Sequence, residues 1–314
     1  MKVVTSGLNF LDIDAYAGCV AYAELLNLQN IDAVAISSAN INDSVSNTIR
    51  SWNAPIVTKY TPNSNDSFVL IDVSEPDFLD RIVDIARVEE VIDHHVGYEK
   101  FWSDKIGLKT NIDFIGAACT LVYERWQEHG STEQMSETSA RLLISGILDN
   151  TLNFKSKVTT DRDHRAYDQL LKLANLSSDW TEQYFQECEE SIYLNIVGAL
   201  TNDTKIMKFR QLDSDNVAFG QLVVWDANKA TQEYRNIIEE TMCRKSDDWF
   251  INAVSISDGK SFFIASNDKV IEWAESLLGV VFNKRLAIAD RLWLRKEIVK
   301  QDVLYVRKKL KLIH

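Results

Sequence analysis

The chain has 314 residues, 46% of them hydrophobic, with only 11 Gly and 3 Pro, a composition that excludes a disordered or linker-rich protein and leads us to expect two domains. Its formal net charge of −12 argues against a nucleic-acid binder, whose affinity comes from Lys and Arg neutralising phosphates, while leaving room for a local basic cluster that serves a small anion. There is no charged-then-apolar leader and no run of about 18 apolar residues, so a cytoplasmic protein without a membrane segment is expected.

Met1 to Val4 reads as an opening strand, soon followed by Asp12 and Asp14. A helix is predicted over Ala17 to Leu28, a strand over Ile31 to Ile36, a helix over Asn42 to Trp52 and a short strand at Ile56-Val57. The β-type run Phe68-Val69-Leu70-Ile71 ends in Asp72. A helix over Asp77 to Arg87 then leads to a strand ending Val91-Ile92-Asp93-His94-His95. Gly116 to His129 and Glu137 to Leu148 look helical, the second meeting Asp149 at its C-terminal end, and Thr160-Asp161-Arg162-Asp163 has the hydroxyl cap and acidic first turn of a helix start. Four apolar runs ending in carboxylate or imidazole suggest one parallel, doubly wound sheet with its site at the C-terminal edge. Carboxylates with one or two imidazoles suit Mn²⁺ or Mg²⁺ better than a thiolate-loving metal. Cys19, Cys119, Cys188 and Cys243 lie far apart and read as buried free thiols.

From Asn195 the texture changes to a smaller α/β domain, with a boundary placed near residues 188 to 198. Lys205 to Arg210, Val217 to Trp225, Phe250 to Ser255 and Lys260 to Ala265 are β-like, the last two joined by the turn Ser257-Asp258-Gly259. Helices are expected at Gln232 to Arg244 and Val270 to Leu278. Most late basic residues fall here, among them Lys205, Arg210, Arg295 and Lys296.

A lone Asp after a strand is more often a cap or turn residue than a ligand. His129 and His164, in polar helical surroundings, read as solvated. The combination carries the weight: D-x-D after the first strand, then Asp72, then D-H-H. At these residues the chain resembles the DHH phosphoesterase superfamily, and most closely the family II, manganese-dependent inorganic pyrophosphatases with their exopolyphosphatase relatives. Gly7 to Gly18 lines up with the first motif, Asp72 with the second and Ile92 to His95 with the signature triplet. Ile115 to Thr120 and Asn150 to Ser156 resemble later segments, Asp203-Thr204-Lys205 the D-x-K of the second domain, and Leu294-Arg295-Lys296 its S-R-K-K. The resemblance covers nearly the whole chain.

It implies a catalytic, metal-binding domain over residues 1–190 and a DHHA2-type substrate clamp over 196–314. It also implies two ions, Mn²⁺ or Mg²⁺, bridged by Asp72, with Asp12 on one and Asp14 and His94 on the other, and Asp149 as a further ligand. Asp72 and His95 would be catalytic, and His95, Lys205, Arg295 and Lys296 would bind a small anionic phosphate. The implied activity is hydrolysis of pyrophosphate or short polyphosphate; a homodimer is left open. Leu8 stands where the family has His, Asn150 where it has Asp, Val73 where pyrophosphatases have His, and Glu297 where the basic motif ends in Lys. These departures keep two alternatives in view: a nucleotide phosphoesterase, which exposed aromatics around Tyr98 and Trp102 would favour, and a family member that binds an anion or partner without turnover.

Overall fold

The computed structural model describes residues 1–209, 212 and 214–312, so Arg210, the expected end of a strand, lies outside the described residues. The chain divides into two units, Met1–Tyr184 and Phe185–His314. The first contains β1 (Lys2–Thr5), β2 (Phe10–Leu11), α1 (Ile13–Leu28), β3 (Ala33–Ala35), β4 (Asn40–Ile41), α2 (Asn47–Ser51), β5 (Ser67–Ile71), β6 (Val88–Asp93), α3 (Glu99–Ile106), β7 (Thr110–Ile112), α4 (Ala118–Glu128), α5 (Glu137–Asn150) and α6 (Asp161–Ala174). The boundary falls within α7 (Trp180–Leu194), and residues 188–198 lie in α7, Asn195 and α8 (Ile196–Asn202).

The main sheet of the first unit has the order β3-β1-β5-β6-β7, with every neighbouring pair parallel. Its central strands carry the apolar runs Val3-Val4, Phe68 to Ile71 and Val91-Ile92, as expected of a sheet covered on both faces. Val3, Phe68, Leu70, Val91 and Trp102 form the centre of one core cluster. Helix α1 is buried almost all round from Ile13 to Leu26, because it packs against β1, β3 and β5 as well as α4 and α5.

Two predicted helices come out shorter. Over Asp77 to Arg87 the chain makes only 3₁₀ turns at Pro76–Phe78 and Ile85–Arg87. The Asp80 carboxylate instead accepts from the N–H and hydroxyl of Ser38 at 2.7 and 2.6 Å, a non-local pairing that competes with helix formation. Asn42 to Trp52 keeps only α2, because Asn42 and Ser44 form a side-chain turn before Ser46 caps the helix. Leu142 to Leu148, one of the four apolar runs, is helix throughout, so three of those runs end on the sheet and the fourth on α5.

The second unit continues with β8 (Thr204–Phe209), β9 (Ser214–Val224), α9 (Asn228–Gln232), α10 (Arg235–Cys243), β10 (Trp249–Ser255), β11 (Lys260–Ala265), α11 (Asp268–Leu278), β12 (Leu286–Ala289) and α12 (Arg295–Leu312). Its mixed sheet runs β12-β11-β10-β9-β8, parallel only between β9 and β10. Separate apolar clusters pack on it, one around Leu200, Ile238 and Ile251 and another around Phe219, Phe250 and Trp273. Cys19 and Cys119 are buried as expected, but Cys188 is only partly buried and Cys243 is exposed. Among the described residues, no helix is long and apolar enough to cross a membrane.

Candidate metal centre

From β1 the chain crosses to β3 on one side and then returns to β5 on the other. The strand order therefore reverses between β1 and β5, leaving a crevice at their C-terminal ends where open α/β sheets bind ligands. Asp12 and Asp14 follow β1 by way of the short β2, Asp72 directly follows β5, and His94 and His95 follow β6. The separate fact that β5 and β6 are neighbours brings Asp72 beside the two histidines. Asp149 arrives from the C-terminal end of α5.

Donor atoms of Asp72, His94 and His95 all lie within 4.8 Å of one another. His94 Nε2 is 3.3 Å from Asp72 Oδ1 and 3.8 Å from Asp14 Oδ2. Its Nδ1 donates to the carbonyl of Ile115 at 3.1 Å, which turns Nε2 toward the carboxylates. Asp14 is fully buried, and its two oxygens accept the N–H groups of Ala118 and Cys119, both at 2.8 Å, at the start of α4. This placement uses the partial positive charge of a helix N-terminus. Asp12 caps α1, accepting from Ala15 N–H at 3.0 Å. Asp149 Oδ1 accepts from the Tyr184 hydroxyl at 2.7 Å.

The electrostatics ask for a cation. Burial, followed by the charges of Asp12 and Asp14, pushes Asp72 up to about 7. Burial also pushes Asp149 up to about 7, partly opposed by the Tyr184 hydrogen bond, and raises Asp12. Burial works against the His94 imidazolium, but its contact with Asp72 outweighs this and holds it at about 10. Oδ1 of Asp72 is buried and accepts no hydrogen bond. A buried carboxylate among other carboxylates, faced by two imidazoles, is a donor set that a divalent cation would suit. The oxygen-rich donor set with imidazole fits Mn²⁺ or Mg²⁺. Burial holds the nearby Cys19 and Cys119 thiols well above their usual value, so thiolate ligation is not on offer.

His95 is different. Its side chain is 53% exposed, and Nδ1 is held 2.9 Å from Asp93 Oδ1. That bond, against the opposing effect of burial, raises the imidazole above its ordinary value. The Asp93 partnership, the Tyr184 hydroxyl on Asp149 and the Ile115 carbonyl behind His94 are contributions that reading the sequence did not assign. The last two have no local signal, since they connect residues more than 20 positions apart.

Of the departures, Leu8 is half-buried with its N–H bonded to the Phe78 carbonyl, and Val73 is buried in the core. Asn150 follows Asp149 at the end of α5. Trp102 is fully buried, with its indole N–H donating to the Ser74 carbonyl at 2.7 Å, so it offers no exposed ring for a base. Lys205, Arg295 and Lys296 belong to the second unit. There Arg295 is held by the carboxylate of Asp203 and by the Asp203 and Phe219 carbonyls at 2.7 and 3.3 Å, which joins the two basic motifs; Lys205 and Lys296 are exposed.

Residues 2–147 match the DHH family, N-terminal domain. The first unit carries a DHH-family domain. The chain is 24% identical over 300 residues to the "probable manganese-dependent inorganic pyrophosphatase" of Lactobacillus johnsonii, covering 92% of this chain and 93% of that protein. It is 29% identical over 180 residues to the protein of the same name from Bacillus licheniformis, an alignment spanning 57% of each. In fold, the chain is similar to a Methanococcus jannaschii protein assigned to the family II inorganic pyrophosphatases, with a TM-score of 0.64 at 20% identity, covering 97% of this chain and 99% of that one. A Bacteroides fragilis exopolyphosphatase-related protein superposes with a TM-score of 0.52 at 15% identity, covering 99% and 93%.

Proposed function

We propose that this protein is a divalent-cation-dependent hydrolase of phosphoanhydride bonds in small inorganic phosphates, with pyrophosphate as first substrate and short polyphosphate as second. The observation that carries the reading is the convergence of Asp72, His94 and His95 at the crevice between β1 and β5, with Asp12, Asp14 and Asp149 around them. The similarity to proteins named manganese-dependent inorganic pyrophosphatases supports the substrate class.

In this reading Asp12, Asp14, Asp72, His94 and Asp149 hold the cation or cations, Mn²⁺ before Mg²⁺, with Asp72 central because its Oδ1 stands 3.3 and 3.6 Å from the two histidines. A bound divalent cation supplies an acidified water near neutral pH and charge compensation for phosphate oxygens. The remaining work belongs to the chain. His95 keeps its Nδ1 proton on Asp93 and presents an imidazolium edge to a phosphate oxygen. Asp72, with Oδ1 set between both imidazoles, is assigned to orienting the attacking water at the centre of this donor set. Lys205, Arg295 and Lys296 are assigned to phosphate oxygens, Arg295 as a fork pre-set by Asp203 and the lysines as point charges. Phosphoryl transfer needs mainly positioning and charge stabilisation, which such a set supplies.

Phosphate release from pyrophosphate, tripolyphosphate and a nucleoside triphosphate, each with Mn²⁺ and with Mg²⁺, tests the reading. Fastest release from pyrophosphate with Mn²⁺ is expected. Release from nucleotides alone would move the substrate to organic phosphates. No release in any arm, with Mn²⁺ bound, would leave an anion-binding protein without turnover.

A further inference from the structure

Asp163 is a fully buried carboxylate outside the ligand set, and its bonds join two separate segments. It stands in the first turn of α6 and completes a capping box with Thr160, accepting the Thr160 N–H at 2.8 Å and hydroxyl at 2.9 Å. Capping alone would end there. Yet the same carboxylate accepts the Gly116 N–H at 3.1 Å and the Thr120 hydroxyl at 2.6 Å, from a segment more than 40 positions earlier.

Residues 115–119 are the segment on which two candidate ligands rest. The Ile115 carbonyl fixes His94, and the N–H groups of Ala118 and Cys119 fix both oxygens of Asp14. Gly116 lies between these two attachments. A Cβ there would stand 2.7 Å from Asp163 Oδ2 and 2.7 Å from the Thr151 methyl, so only glycine lets the turn approach the carboxylate.

We propose that Asp163 is a positioning residue for the metal centre: it anchors the 115–119 turn, which in turn aims His94 Nε2 and holds Asp14. The inference rests on the metal reading of Asp14 and His94 given above. Residues behind a metal ligand set its orientation, and losing one typically weakens metal binding roughly 10–100-fold.

Asp163→Asn removes the charge and part of the acceptor capacity while keeping the side-chain shape. Glu24→Gln is the control. Glu24 also staples a helix start, accepting the Ser136 N–H and hydroxyl at 2.7 Å each and the Ser139 hydroxyl at 2.5 Å, but it lies near the far end of α1 from Asp14. Mn²⁺ affinity would be read by the electron paramagnetic resonance of free Mn²⁺ at a temperature where circular dichroism shows each variant folded. Asp163→Asn should bind Mn²⁺ about 10–100-fold more weakly, while Glu24→Gln binds as wild type. If Asp163→Asn does not fold, Thr120→Val leaves the capping box and the Gly116 bond in place and should still weaken Mn²⁺ binding several-fold. Wild-type affinity in whichever of these two variants folds would overturn the proposal. Absence of Mn²⁺ binding in the wild type would overturn this role and the metal reading together. Mn²⁺ binding that falls in Asp163→Asn, in a protein that releases no phosphate, would uphold the positioning role and sink only the hydrolase reading.

Discussion

Asp72 adopts a positive φ of 58° while its N–H bonds to the Ile92 carbonyl. That conformation is tolerated by Asp better than by most residues but still costs on the order of 1 kcal/mol, and such strain gathers where a side chain must be aimed. Here it aims Oδ1 between two imidazoles. Asp72→Ala should therefore lower bound Mn²⁺ more than Asp14→Ala, measured by elemental analysis after dialysis; equal stoichiometry in both would remove the central role from Asp72. A second consequence concerns pH. Asp72 and Asp149 titrate near 7 in the folded chain and near the ordinary carboxylate value when unfolded. Between about pH 4 and 7 the folded state thus holds more protons, so metal-free stability falls as pH rises through that window. His94 adds in the same sense at higher pH, since its stabilisation is complete below its unfolded value and is lost as pH rises through about 10. Asp149→Asn should flatten the decline between pH 4 and 7, by roughly a few kcal/mol at pH 8, in thermal melts of the metal-free protein. An unchanged slope would mean Asp149 is not held as an isolated buried charge.

At the scale of elements, α5 sets which of Asp149 and Asn150 faces Tyr184. Successive residues on a helix point about 100° apart, so Asp149 and Asn150 cannot share one direction. Asp149 faces Tyr184 and feels the charges of Asp12 and Asp14. Asp149→Asn should then weaken Mn²⁺ binding, while Asn150→Asp should leave it near wild type; the reverse pattern in titrations would place the neighbouring position in the site. The same helix needs Gly146 to lie against α1 and α4, because a Cβ there would stand 2.5 Å from Cys119 Sγ and 3.2 Å from Asp14 Oδ1. Gly146→Ala gains helix propensity of about 1 kcal/mol, yet overpacking costs typically 1–3 kcal/mol, so net destabilisation with weakened Mn²⁺ binding is expected. A raised melting temperature with intact binding would show that the helices simply shift apart.

For the molecule as a whole, the second unit has its own sheet and its own cores, so its basic residues can be tested for stability and for chemistry separately. Arg295 is only 11% exposed and holds Asp203 and two carbonyls, whereas Lys205 is exposed. Arg295→Ala should cost roughly 1–3 kcal/mol of stability through the partners it leaves unpaired, and Lys205→Ala less than about 0.5 kcal/mol. Both should lower kcat/KM for pyrophosphate while leaving Mn²⁺ affinity unchanged. Arg295→Lys should also impair turnover, because the ammonium cannot replace the planar fork. Wild-type kinetics in Lys205→Ala and Arg295→Ala would remove the second unit from substrate binding.

The sequence by itself determined the alternation of strands and helices and the chain order of the acidic and imidazole donors, because periodicity, caps and strand-end residues are local properties. Asp12, Asp14, Asp72, His94 and Asp149 were legible in that way. Tertiary structure decided the rest. Strand order alone puts β1 beside β5 and β5 beside β6, and so brings Asp72 together with His94 and His95. The expected helix after Asp77 yields to the pairing of Asp80 with Ser38, a contact across 42 positions that no local propensity encodes. Asp163, read from the sequence as an ordinary acidic residue of a helix start, becomes the anchor of a distant turn only once α6 packs against the start of α4, where burial leaves its oxygens no partners but those the fold supplies.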